Sequence, residues 1–270
     1  MAMTEDSSGG KIRLEHYIYG VTPGEGYGIK ATSKELNVAL YDPKLKGFYT
    51  PIRGASLQAE VLDIRMLHPA NNNEEILLSR INRGAPDELG RPTFQNHTTI
   101  VPTAYFRAGK VMLEQADRAM EEFDAKNPNI LGKMDPVEIA AAGADVAKFG
   151  SGVRKHMSRA ALETLASRLI KETNSRTLIL FRDSTPEDRT RALYLIVELL
   201  SWGGGIAPVT SMSDAPTASA MNHFNLVLSP RGVRSDTTWV LIDAALEKPQ
   251  LPRVQGKDAV YAAIEKCTVV

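Results

Sequence analysis

The chain is short of cysteine: of its 270 residues only one, Cys267, is of that type. A single thiol closes no intramolecular disulfide and builds no cysteine-based zinc site. Charge of one sign is also missing, since 32 Lys and Arg are offset by 32 Asp and Glu. No global field therefore recruits nucleic acid or an anionic lipid surface. The longest apolar run, Ala192 to Leu200, is interrupted by Glu198 and is too short to cross a bilayer. The opening stretch, Met1 to Gly10, is polar and has the form of neither a signal nor a transit peptide. A cytoplasmic location, with neither membrane nor nucleic-acid partner, is the simplest expectation.

Several chemical signatures are absent too. There is no Gly-x-Ser-x-Gly nucleophile elbow and no His-Glu-x-x-His helix. The five histidines, at 16, 68, 97, 156 and 223, lie scattered without paired spacing. Metal binding requires convergent ligands, so neither a metal nor a cofactor is expected.

What is present is a pair of blocks. The first, residues 16–33, runs from His16-Tyr17-Ile18-Tyr19-Gly20 through Gly24-Glu25-Gly26-Tyr27-Gly28 to Ser33. The second, residues 90–102, contains Gly90-Arg91, Phe94 and His97 and ends in Ile100-Val101-Pro102. Alternating polarity predicts strands over 12–19, 60–67, 75–81 and 93–103, with turn chemistry at Pro69 to Asn73 joining two of them into a hairpin. Ser33 is a candidate cap for a short helix from Lys34, and helical spacing predicts a helix over 110–124. In the second half Ser158 caps a predicted helix to Thr173, residues 177–181 form a short apolar strand, and Thr185-Pro186 opens a helix ending at the glycines 203–205. Strands over 206–210, 224–228 and 238–242 and a last helix over 257–266 follow. The expected class is α+β or α/β. A mainly antiparallel N-terminal sheet with helices, over residues 11–127, precedes a mixed-sheet portion with a βαβ unit, over 136–270.

Each candidate for chemistry has a plainer competitor. The glycines 24–28 could bring backbone N–H groups to an anion. They lack the Gly-Lys-Ser/Thr ending of a P-loop and carry Glu25, so a tight turn is the better reading. Ser151 with Arg154 and Lys155, after Gly150, is a stronger phosphate candidate, set against a solvated loop. His97, beside Asn96 and two threonines, could act as an acid–base group, set against a histidine hydrogen-bonded within a sheet. Arg80 and Arg83 read as solubilising charges on a strand edge, on opposite faces.

Taken together, Tyr17, Gly20, Gly26, Gly28 and Ser33, followed by Gly90, Arg91, Phe94 and His97, resemble the N-terminal module of the GTPase-associated adaptor proteins of prokaryotic conflict systems. The stretch Leu193 to Thr210 is loosely similar to the middle module of that family. The resemblance implies a non-catalytic adaptor that couples a GTPase or another NTPase to further components, with Tyr17, Tyr27, Arg91 and His97 as interaction candidates. Two alternatives stand beside it. One is a phosphate- or nucleotide-recognising enzyme using His97 and the 150–155 loop. The other is a structural homo-oligomer.

Overall fold

The computed structural model describes residues 10–22, 24–40, 61–67, 74–107, 110–141, 157–172, 176–204, 210–212, 224–230 and 239–268. The chain divides into two compact units, one of Met1–Pro51 with Ser56–Ala144, the other of Ile52–Ala55 with Asp145–Val270. Helices and strands mix in both, as the expected α+β or α/β class requires.

In the first unit the strands are β1 (Lys11–Leu14), β2 (His16–Thr22), β3 (Gly26–Ser33), β4 (Val61–Leu67), β5 (Glu75–Gly84) and β6 (Thr93–Pro102). Two helices follow, α1 (Thr103–Arg107) and α2 (Leu113–Lys126), and then β7 (Gly132–Met134) and β8 (Val137–Ala140). The strands β4, β5, β6, β2 and β3 pair in that order, all antiparallel, and β7 adds to β3 in parallel. A separate ribbon pairs β1 with β8. The run predicted as one strand over 12–19 is broken at Glu15, whose carbonyl accepts from the Ile100 N–H at 2.9 Å. Ile12 and Leu14 point inward with Val137 and Ile139 of the ribbon, while the residues between them face out.

Glycine shapes the β2–β3 turn. Gly24 and Gly26 sit at φ +78° and +83°, a region that side-chain-bearing residues rarely adopt, so the turn reading of this segment holds. Within the hairpin Ile18 faces Ala31 while Tyr19 faces Ile29, which leaves Lys30 as the extra residue of a bulge. Ser33 caps no helix. It ends β3, and its hydroxyl accepts from the His16 N–H at 2.8 Å and donates to the His16 carbonyl at 2.9 Å. The backbone of β2 captured the hydroxyl that the sequence pattern assigned to a helix start.

α2 lies against β5, β6 and β8 and buries Leu113, Ala116, Asp117 and Met120. An aspartate on the covered face of a helix needs a partner, and Arg80 of β5 supplies it. This corrects the expectation of an edge charge: Arg80 is buried, whereas Arg83 is exposed. Spacing of three along a strand turns the two side chains to opposite faces.

The second unit contains α3 (Arg159–Lys171), β9 (Thr177–Leu180), α4 (Pro186–Gly204), β10 (Thr210–Met212), β11 (Leu226–Ser229), β12 (Val240–Asp243) and α5 (Asp258–Thr268). Its strands pair in the order β12, β9, β11, β10, all parallel. The β9–α4–β10 crossover is the expected βαβ connection. Every residue of β9 and β11 is buried, and apart from Thr177 and Ser229 at their ends all are apolar, as a covered parallel sheet favours. Thr185 and Asp188 close a reciprocal box at the start of α4. The Thr185 N–H donates to Asp188 Oδ2 at 3.1 Å, and the Asp188 N–H donates to Thr185 Oγ1 at 3.2 Å.

Ser158 caps α3 by accepting from the Ala161 N–H at 3.1 Å, and its hydroxyl donates to the Leu246 carbonyl at 2.5 Å. The Ser158→Ala variant therefore loses about 1–2 kcal/mol of stability in urea denaturation. A change of only a few tenths would mean that water replaces both bonds.

Candidate functional site

The most concentrated polar chemistry lies where β2, β3, β6 and α2 meet in the first unit. His16 opens β2, and His97 is opposite Ile18 in the β2–β6 register, so both rings project to the face that α2 covers. His16 Nδ1 and His97 Nε2 are 2.6 Å apart, and the two rings stack at 4.9 Å between centroids. On its far side His97 Nδ1 meets Asp124 Oδ1 of α2 at 3.0 Å. His16 Nε2 meets the backbone carbonyl of Asp135, between β7 and β8, at 2.7 Å. Phe123 seals the pair edge-on, 4.8 Å from His16 and 5.7 Å from His97. Both rings have 0% of their surface exposed.

The chain of hydrogen bonds continues outward. Gln95 Nε2 donates to Asp124 Oδ1 at 3.2 Å, and Lys30, the bulge residue, donates to Gln95 Oε1 at 2.8 Å. Lys30 is half-buried and is the end of the chain nearest solvent. Burial lowers its pKa, with the Asp124 charge acting in opposition. His16 is pushed down to about 4, first by burial and then by the neighbouring His97. The Asp135 carbonyl and Asp124 oppose that shift. Asp124 Oδ2 is buried without a hydrogen-bond partner among the described residues.

Of the interaction candidates, the structure brings two together and buries the other two. Tyr17 and His97 are fully buried. Tyr27 is 44% exposed and stacks on Phe94 at 4.6 Å and on Tyr19 at 6.0 Å. Its hydroxyl accepts from the Phe94 N–H at 3.3 Å. The loop carrying Arg91 lies beside this stack: Asp87 and Arg91 both act electrostatically on the Tyr27 hydroxyl, whose pKa is raised mainly by burial. Asp87 organises the loop, accepting from the N–H groups of Leu89 and Arg91 at 3.0 and 2.8 Å and pairing with Arg91 Nε at 2.6 Å. Leu89 is among the most exposed of the large apolar side chains. Tyr19, Tyr27 and Phe94 thus form an aromatic stack, half-buried at Tyr19 and Phe94 and exposed at Tyr27, with the exposed Arg91 beside it.

Sequence reasoning missed His16, Asp124, Gln95, Tyr19 and Phe94 as members of these clusters. Tyr19 was legible only as a strand residue and Phe94 only as part of the family resemblance; the signal available was the alternation that puts Tyr19 of β2 and Tyr27 of β3 on one face of the hairpin. Ser151, Arg154 and Lys155 lie outside the described residues. Among the described residues no group of three His, Cys, Asp or Glu is placed to hold a metal ion, and no helix is long and apolar enough to cross a membrane.

In the second unit the polar concentration is a strap. Glu163 of α3 pairs with Arg159 at 2.8 Å and with Arg253 at 2.7 Å, and Glu265 of α5 also meets both arginines. Burial pushes the Glu163 carboxyl up, but the hydrogen bonds from Arg253 and Arg159 outweigh it and hold its pKa below the ordinary value. Tyr261 O–H lies 2.8 Å from Ser167 Oγ and accepts from the Val254 N–H at 2.8 Å. These bonds tie residues 253–254 to α3 and α5, a fastening role.

No family model matches the chain, and no curated protein matches it in sequence. Among solved structures it is similar to the K. lactis Lst4 longin domain, with 14% identity over 45% of this chain and 82% of that one, at a TM-score of 0.25.

Proposed function

We propose that this chain is a non-catalytic interaction module that binds a protein partner through the aromatic patch of its first unit. The adaptor resemblance carried by Tyr17, Gly20, Gly26, Gly28, Ser33, Gly90, Arg91, Phe94 and His97 makes a GTPase or another NTPase the implied partner, in the cytoplasm of a prokaryote. The observation that supports the reading most is the division of labour between the two blocks. His97 has both ring nitrogens engaged, by Asp124 and by His16, and no exposed surface from which to reach a substrate. The same blocks carry Tyr27 and Arg91, which are exposed, and Phe94, which is half-buried beneath Tyr27. Tyrosine and arginine are the residue types that most often dominate the energetics of protein interfaces.

Co-purification of the tagged chain with GTPases of its native host is the direct test, and retention of a specific GTPase is expected. The Tyr27→Ala variant should keep its fold by circular dichroism and bind that partner about 30-fold more weakly, the effect of removing a side chain worth about 2 kcal/mol. Unchanged binding would move the interface away from the patch. Failure to retain any partner, together with turnover of a small molecule, would overturn the adaptor reading and favour the nucleotide-recognising enzyme. A homogeneous larger species with no other bound protein would favour the homo-oligomer.

A further inference from the structure

We infer that His16, His97 and Asp124 form a proton-loaded latch, closed only when one proton occupies each of its three hydrogen-bonded gaps, so that folding of the first unit takes up a proton from alkaline solution. The polarity of the chain is set from both ends. At one end the Asp135 carbonyl can only accept, so His16 Nε2 carries a proton. At the other end the Lys30 ammonium can only donate, so the Gln95 carbonyl oxygen faces it and the Gln95 amide nitrogen donates to Asp124 Oδ1. Asp124 Oδ1 is thereby an acceptor, and the gap to His97 Nδ1 is closed by a proton on the ring nitrogen. Between the rings, 2.6 Å has room for one proton: two would repel, and none would leave two lone pairs facing each other.

The closed array therefore holds three protons on the four ring nitrogens, and the single positive charge is balanced by Asp124. Among the described residues, three of the charged groups around it are already paired. Arg80, opposite His97 in the β5–β6 register, is paired to Asp117 and Glu121 of α2. The Asp135 carboxylate is paired to Lys34, and Lys30 is bonded to Gln95. Glu15, adjoining β2, stands apart from these: burial raises its pKa, Ser33 and Arg13 oppose the rise and Glu35 adds to it, and its Oε2 is buried without a hydrogen-bond partner among the described residues. Arg80, Asp135 and Lys30, so engaged, neither supply nor remove the proton between the rings.

The latch ties four segments together, namely β2, β6, α2 and the corner between β7 and β8. A free imidazole titrates near 6.5, so above about that pH the unfolded chain holds two protons on these rings and the closed latch holds three. Stability then falls as pH rises, by up to about tenfold in the folding equilibrium constant per pH unit while the latch stays closed.

Two measurements on the full chain test this. Long-range proton–nitrogen NMR of the native protein at pH 7.5 should show three of the four ring nitrogens of His16 and His97 protonated. Two bare ring nitrogens would overturn the proposal. Urea denaturation from pH 6.5 to 8.5 should show the folding constant decreasing, and the His97→Gln variant should lose that decrease relative to wild type. Equal slopes in the two proteins would also overturn it. Should the variant not fold, the wild-type ring spectrum decides alone.

Discussion

Replacing Arg80 with alanine lowers the stability of the first unit by about 3–5 kcal/mol in urea denaturation. The guanidinium reaches both oxygens of Asp117, at 3.0 and 2.9 Å, and also Glu121 at 3.2 Å and Asn82 at 3.2 Å. The paired side chains are only 10% and 8% exposed. Alanine would take from the buried Asp117 carboxylate of α2 the guanidinium that meets both its oxygens, and a buried charge that loses such a bond costs far more than the intact pair contributes. Total stabilities of about 5–15 kcal/mol make that loss visible as a large fall in the unfolding midpoint. Converting both partners to apolar residues, Arg80→Met with Asp117→Leu, should recover most of it, because no charge is then stranded. A single-variant loss under about 1 kcal/mol would show that Asp117 reaches water or another cation.

Acidification from pH 6.5 to 4 removes roughly 3 kcal/mol of stability through His16 alone. The folded-state pKa of about 4 lies below the ordinary 6.5, chiefly because burial disfavours the charged ring and secondarily because His97 adjoins it. The sign follows from proton counts. Above pH 6.5 neither state protonates this ring further, and the stabilisation is fully present. Between 6.5 and 4 the unfolded chain takes up a proton that the folded ring refuses, so stability is lost as pH falls. Below about 4 both states bind it and the decline from this group ends. The check is a series of urea titrations across this range on wild type and His16→Gln. The variant starts less stable but should have the shallower acid slope; identical slopes would show that His16 is protonated in the folded chain. With the alkaline decline inferred for the latch, the pair predicts a stability maximum near the pH at which free histidine titrates.

Local chemistry was legible wherever a residue acts on its own neighbours. Ser158 and Thr185-Pro186 marked helix starts because capping is a bond to the backbone two or three residues away. Glycines at positive φ marked the β2–β3 turn for the same reason. The run 177–181 read as a strand because burial on both faces favours consecutive apolar residues, here Leu178 to Phe181 after a buried Thr177. Ser33 failed as a cap because its backbone was already claimed by a sheet, and its hydroxyl found His16, 17 residues earlier. Arg80 failed as an edge charge because nothing in its neighbours in sequence reveals Asp117, which is 37 residues away.

By itself the sequence determined the class of the fold and the order of most elements, since these follow from composition, period and spacing along the chain. Only the tertiary structure decided what the two histidines do. His16 and His97 are 81 residues apart, and each alone is an ordinary strand histidine. Antiparallel pairing of β2 with β6 sets them side by side, and α2 adds the carboxylate that balances their charge. A strand pattern states which face a residue takes but not which distant residue shares that face. Proton occupancy depends on the second fact, and so does the surface left for Tyr27, Phe94 and Arg91.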